Sequence, residues 1–161
     1  MSLGSYAGPL RDCVVALKYQ GRHRTADRLA LRLLRIDRCR EILESADLII
    51  GVPLYKDRLR RRGFNQADLL AKALTKSRPG IVSKCLVRTR NTRSQTDLGA
   101  RERRRNVLNA FSVRHDLALR NATVVLVDDV TTTGATLREC ASTLLASGVR
   151  EVRSITVARA E

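Results

Sequence analysis

Apolar residues recur at helical spacing at Leu10, Cys13, Val14 and Leu17, and again at Ala26, Leu29, Ala30, Leu33 and Leu34 behind the candidate N-cap Thr25. They predict two amphipathic helices joined near Gln20-Gly21. Residues 46–53, ADLIIGVP, form a continuous apolar run closed by Gly and Pro, which suits a buried parallel strand. Phe64, Ala67, Leu70, Ala71 and Leu74 make the next helical stripe, ended by Pro79-Gly80. Ile81 to Val87 has room for another short strand. Arg88 to Gly99 is polar and without hydrophobic period, so a long loop is expected, and such loops inside compact domains are usually functional. A short helix is expected over Glu102 to Ala110. Thr123 to Val127 is the clearest strand; it runs into DDVTTTGAT and then a helix with Leu137, Cys140, Ala141, Leu144 and Leu145 on one face, stopped by Gly148. Glu151 to Ala158 is a final strand. Strands alternating with helices predict an α/β domain with an open, mainly parallel sheet flanked by helices.

A length of 161 residues fits one hydrophobic core, so a single domain over 1–161 is expected. Met1-Ser2-Leu3 reads as an added leader, and residues 1–5 are expected to be that leader or disordered. The start MSLGSYAGPLRDC has no basic segment followed by an apolar core, so no signal peptide is expected and the cytoplasm is the expected compartment. No run of 18 apolar residues occurs, which excludes a membrane-spanning helix. Cysteines stand at 13, 39, 85 and 140 with no CxxC, so neither a zinc knuckle nor a redox dithiol is indicated, and reduced structural thiols are expected.

Chemistry concentrates after the strongest strand. Asp128 and Asp129 are delivered to the carboxyl end of a parallel strand, where ligands of open α/β sheets bind. Thr131, Thr132, Thr133, Gly134, Ala135 and Thr136 then offer successive backbone N–H groups, small hydroxyls and a helix N-terminus, which together favour a phosphate. Two carboxylates can accept hydrogen bonds from a cis pair of ribose hydroxyls and help hold a hydrated Mg²⁺. A hydrophobic strand ending in Asp-Asp also occurs in P-loop NTPases as their magnesium-binding strand, but no glycine here belongs to a GxxxxGKS/T loop, and GxGxxG is absent as well.

This segment resembles the phosphoribosyl-pyrophosphate (PRPP) motif of type I phosphoribosyltransferases. Two further segments narrow the resemblance. Asp57-Arg58-Leu59-Arg60-Arg61-Arg62-Gly63-Phe64-Asn65-Gln66 resembles the R-x-R-G-F-N-Q signature of the ComF family, which includes competence proteins and amidophosphoribosyltransferase-like relatives. Arg88 to Gln95, followed by Leu98, Arg101, Asn106-Val107 and Ala110-Phe111, resembles that family's second signature, and Lys18-Tyr19-Gln20-Gly21 matches its early K-Y-x-G. The resemblance runs from about Tyr6 to the C-terminus. It implies a type I phosphoribosyltransferase fold in which Asp128 and Asp129 hold the ribose, directly or through Mg²⁺, and Thr131 to Thr136 wrap the 5-phosphate. It also implies a pyrophosphate site of Val52, Pro53, Arg62, Arg88 and Arg90, and a flexible loop over 88–100 carrying Thr92, Gln95 and Arg101. Arginines there can neutralise the leaving group as charge develops. Thr132 stands where purine-salvage members carry an additional Asp, so hypoxanthine or guanine salvage is not expected. The cysteine-rich zinc-ribbon start common in ComF-like proteins is absent, as is an N-terminal cysteine nucleophile for glutamine-dependent amination.

The net charge is +15, and 26 of the 31 basic residues are Arg. PRPP accounts for a few of them; a polyanion would account for more, because each neutralised phosphate releases a counterion. With two Phe and three Tyr there is little for base stacking, so nucleic-acid binding would be electrostatic. His23 and His115 read as surface residues, and Tyr19 fits either the core or the border of a base site. The expectation is therefore a PRPP-binding, Mg²⁺-using phosphoribosyltransferase acting on a nitrogen nucleophile. The alternative is a non-catalytic module for DNA uptake that binds single-stranded DNA, with PRPP or nucleotide as regulator. The acceptor and the oligomeric state carry no sequence signal.

Overall fold

The computed structural model describes residues 1–19, 24–78, 81–92, 100–114 and 119–160. Among these the chain runs β1 (Ser2–Ser5), α1 (Gly8–Tyr19), α2 (Arg24–Leu33), α3 (Asp37–Glu44), β2 (Leu48–Gly51), α4 (Lys56–Arg62) and α5 (Gln66–Leu74). It continues as β3 (Leu86–Arg88), α6 (Ala100–Val107), β4 (Phe111–Val113), β5 (Thr123–Thr131), α7 (Ala135–Ala146) and β6 (Glu151–Arg159). A parallel sheet has the order β1-β6-β5-β2, and β3 pairs antiparallel with β4 in a separate ribbon. The expected open parallel α/β architecture is the observed one.

β5 is the spine of the sheet because apolar side chains leave both of its faces. Val125 and Val127 pack with Leu17, Leu29 and Leu70 of α1, α2 and α5, while Val124 and Leu126 pack with Cys140 and Leu144 of α7. Each such residue, fully buried, contributes roughly 1.5–3 kcal/mol. α5, which follows β2, covers the first face; α7, which follows β5, covers the second. Neighbouring strands thus send their helices to opposite sides, and a crevice opens between their carboxyl ends.

Several expectations shift. Residues 1–5 are ordered: Ser2 to Ser5 pair with β6 from Thr156 to Arg159, and the Met1 ammonium donates to the Ser154 carbonyl at 2.7 Å. A four-residue strand of Ser, Leu, Gly and Ser has no apolar run to announce it. Thr25 lies inside α2 rather than ahead of it. The strand expected over 81–87 is displaced to β3; Val82 instead bridges Ile49, and Ser83 N donates to Ile49 O at 2.9 Å, covering the β2 edge. Within the loop expected over 88–100, Arg88 belongs to β3 and Ala100 opens α6, while 93–99 lie outside the described residues, as do Gln20-Gly21 and Pro79-Gly80. The cysteines form no disulfide among the described residues, and Cys39, Cys85 and Cys140 pack as buried small hydrophobes. Burial pushes the Cys39 thiol up to about 11, away from reactivity. Among the described residues no helix is long and apolar enough to cross a membrane.

Candidate functional site

The run Thr123 to Val127 carries Asp128 and Asp129 to the crevice, and strand alternation gives the two acids different surroundings. Asp128 sits on the cleft floor, enclosed by protein although solvent still reaches it, and its Oδ1 accepts from Asp129 N at 2.8 Å. Asp129 is only 3% exposed. Its Oδ1 accepts from Val130 N at 2.8 Å, and its Oδ2 lies 3.0 Å from Lys18 Nζ at the end of α1. Burial first, and then the adjacent Asp129 charge, push the Asp128 carboxyl well above the ordinary carboxylate range. Burial alone would lower the Lys18 ammonium, but Asp129 and then Asp128 outweigh it and hold the group above its usual value.

Beyond the acids the chain turns through Thr131 to Thr136 into α7. Gly134 caps that helix at φ 74°, a left-handed conformation that costs a residue with a Cβ energy. The helix start therefore comes close behind the acids, with its first turn at the crevice. Thr132 and Thr136 line the cleft. Gly134 and the buried Ala135 have backbone to offer; Thr131 O accepts from Ala160 N at 2.8 Å. Thr133 lines a second depression of about 620 Å³ beside Ser2, Ser5 and Arg159, and its hydroxyl is buried without a hydrogen-bond partner among the described residues.

The opposite rim is built from the R-x-R-G-F-N-Q segment. A Cβ at Gly51 would lie 2.4 Å from Asp68 Oδ1 and 2.7 Å from Asp68 N, so only glycine lets β2 abut α5. Gly63 ends α4 at φ 79°, and Asn65 caps α5: its Oδ1 accepts from Ala67 N, while its Nδ2 donates to Val52 O at 3.1 Å. The Val52-Pro53-Leu54 turn is thus tied to the start of α5. α4 presents Arg58 and Arg62 to the cleft; Arg62 donates to the Gln66 side chain, and its guanidinium lies 5.3 Å from the Tyr19 ring centroid. Arg88 enters from β3, 5.3 Å from the Phe111 ring centroid and donating to the Thr92 hydroxyl, with Nε buried and unpartnered among the described residues. Burial and the nearby Arg58 lower the Arg88 pKa from its ordinary value.

A cleft of about 450 Å³ thereby gathers Asp128, Asp129, Thr132, Thr136, Val52, Pro53, Arg62 and Arg88. Other expected residues fall elsewhere. Arg90 is exposed, and its Nη2 donates to the Asn106 and Leu108 carbonyls at 3.1 and 2.7 Å, tying its loop to the end of α6 instead of lining the cleft. Arg101 is exposed on α6, away from the cleft-lining set, and Thr92 is buried behind Arg88. Gln95, His23 and His115 lie outside the described residues. Lys18, Tyr6, Arg58 and Gln66 line the cleft without having been singled out as site residues, and Tyr19 borders it and is 72% exposed. The one sequence signal for Lys18 and Tyr19 was the K-Y-x-G match.

The donor set fits Mg²⁺ in one way. Among the described residues no three His, Cys, Asp or Glu side chains converge as a metal site, and Asp129 already faces Lys18. Asp128 is the open carboxylate, so an ion would be held largely by oxygens of a bound phosphate ligand.

An open parallel sheet with an acid pair and a threonine-rich turn at the carboxyl end of its central strand defines the class of α/β domain. Residues 37–161 match the model of the phosphoribosyl transferase domain, and the chain belongs to that family, in its ComF branch. DNA utilization protein YhgH of Escherichia coli (strain K12) is 40% identical over 157 residues, covering 95% of this chain and 68% of that protein. Competence protein F of Haemophilus influenzae (strain ATCC 51907 / DSM 11121 / KW20 / Rd) is 37% identical over 166 residues, with 98% and 71% covered. Competence protein ComFC of Bacillus subtilis (strain 168) is 34% identical over 115 residues, with 70% and 44% covered.

Proposed function

We propose that this cleft binds PRPP or a related ribose 5-phosphate with Mg²⁺ and transfers the phosphoribosyl group to a nitrogen nucleophile, releasing pyrophosphate, in the cytoplasm. The observation that carries the reading is a single crevice with acids, phosphate loop and guanidiniums each on its own side. The 5-phosphate takes the amides of residues 132–136, and Asp128 accepts from the ribose hydroxyls. The Val52-Pro53 turn with Arg58, Arg62 and Arg88 receives the pyrophosphate. As the nitrogen bonds to C1, the C1–O bond breaks and its electron pair leaves with pyrophosphate; the guanidiniums stabilise that growing charge. Mg²⁺, when bound, neutralises part of the same charge. Titration calorimetry with PRPP tests the reading: Mg²⁺-dependent micromolar binding is expected, and replacing both acids by Asn should abolish it. Unchanged affinity in that double variant would overturn the assignment.

A second reading, a module that serves DNA uptake by binding single-stranded DNA, is favoured by the +15 charge, by exposed Arg60 and Arg61 beside the cleft, and by the relatives' names. A salt titration decides it: useful affinity near physiological salt with a steep slope supports it, and no binding at low salt removes it.

A further inference from the structure

Of the cations that line the cleft, Lys18 is the one that the proposed reaction leaves without a task. Its ammonium stands 3.0 Å from Asp129 Oδ2, with side-chain exposures of 21% and 4%. The other Asp129 oxygen accepts from Val130 N, while Oδ2, buried and without a hydrogen bond among the described residues, has the Lys18 ammonium as its ion-pair contact. Asp128, one residue earlier, spends Oδ1 on Asp129 N and keeps the cleft-facing position. An uncompensated carboxylate as deeply buried as Asp129 would be strongly disfavoured. Among the described residues Lys18 is the cation within ion-pairing distance of it.

Two adjacent carboxylates at the end of a strand would ordinarily attract a hard divalent cation. Here an ammonium stands on one of them. We propose that Lys18 is the built-in counter-cation of the acidic pair: it occupies the cation position at Asp129 and holds that carboxylate against the backbone. The cleft therefore has no divalent-cation site of its own, and Asp128 alone is left to meet incoming groups. Lys18 is a positioning residue, acting through Asp129 from the far end of the chain. The placement follows from α1 packing against the face of the sheet that carries Val125 and Val127, which brings its last turn to the carboxyl end of β5. The proposal needs only the geometry of the pair; its consequence, that Mg²⁺ enters with the phosphate ligand, rests on the function proposed above.

The test uses Mn²⁺ as an octahedral, oxygen-preferring probe, read by electron paramagnetic resonance on the whole chain without any sugar phosphate. Wild type and Lys18→Arg are expected to show no Mn²⁺ site tighter than about 1 mM, the weak end of carboxylate sites. Lys18→Gln, which leaves two uncompensated acids, is expected to gain one site at least roughly tenfold tighter, and adding Asp128→Asn should remove it. Wild type already holding one Asp128-dependent Mn²⁺ below that limit overturns the proposal, and this arm needs no variant to fold. A folded Lys18→Gln that gains nothing overturns it too. PRPP plays no part in these readouts, so a failed phosphoribosyl assignment and a failed Lys18 assignment are distinguishable.

Discussion

The two loops that face each other across the cleft follow adjacent parallel strands yet are held by different means. The loop after β5 leads directly into its own helix: Gly134 turns left-handed and α7 begins at once, so loop, cap and the amides proposed for the 5-phosphate are one contiguous stretch. The turn after β2 is followed by α4, and what fixes it comes from farther on. Asn65 reaches back to Val52 O from the start of α5, and Gly51 admits α5 because it lacks a Cβ. An anion site of the first kind is a local property of the chain. One of the second kind depends on how two elements pack.

That contrast can be broken experimentally. Gly51→Ala drives a Cβ into the α5 backbone and is expected to cost more than about 3 kcal/mol, a drop of roughly 10 °C in Tm by calorimetry. Asp128→Asn acts on the other side and separates binding from stability. Ribose 5-phosphate affinity is expected to fall on the order of a hundredfold, as a charged hydrogen-bond acceptor is lost. Stability should move the opposite way. With its native pKa raised above 3.8, Asp128 binds its proton more tightly folded than unfolded, so wild-type stability falls as pH rises from the unfolded value through the native one. Denaturant midpoints across that range should show the slope in wild type and lose it in Asp128→Asn, which ends up the more stable protein at neutral pH.

Asn65→Ala should cost about 2 kcal/mol in urea unfolding, since it removes a helix cap and leaves the buried Val52 carbonyl unpaired. It should weaken pyrophosphate binding while leaving ribose 5-phosphate binding unchanged; equal loss of both would mean that the two loops are not independently held. The smallest effect is expected at Arg90→Ala. Its guanidinium is spent on two carbonyls near α6, so pyrophosphate affinity should stay within about twofold and stability fall by no more than about 1 kcal/mol.

The legible parts of the site were the contiguous ones. Asp128 to Thr136 could be read directly because strand, acids, turn and helix start lie in one segment with one periodicity change. The segment Arg60 to Gln66 was recognisable as a signature, but its physical work was not: Gly63 and Asn65 are turn and cap residues that hold the Val52 rim of the cleft. Arg62 and Arg90 look alike in sequence, and only their neighbours separate one that lines the cleft from one that braces a loop. β1 and β4 escaped, and β3 was expected too early in the chain, because three or four residues carry too little pattern and their pairing partners come from elsewhere in the chain.

By itself the sequence determined the parallel α/β class, the buried spine of the sheet and the turn from β5 into α7, because hydrophobic period and turn chemistry act over a few neighbouring residues. Only the tertiary structure decided that Asp128 and Asp129 part company, that Lys18 comes from α1 to neutralise the buried one, and which arginines surround the cleft. Those outcomes depend on burial and on charge at 3 Å between residues far apart in the chain, and no local pattern records them.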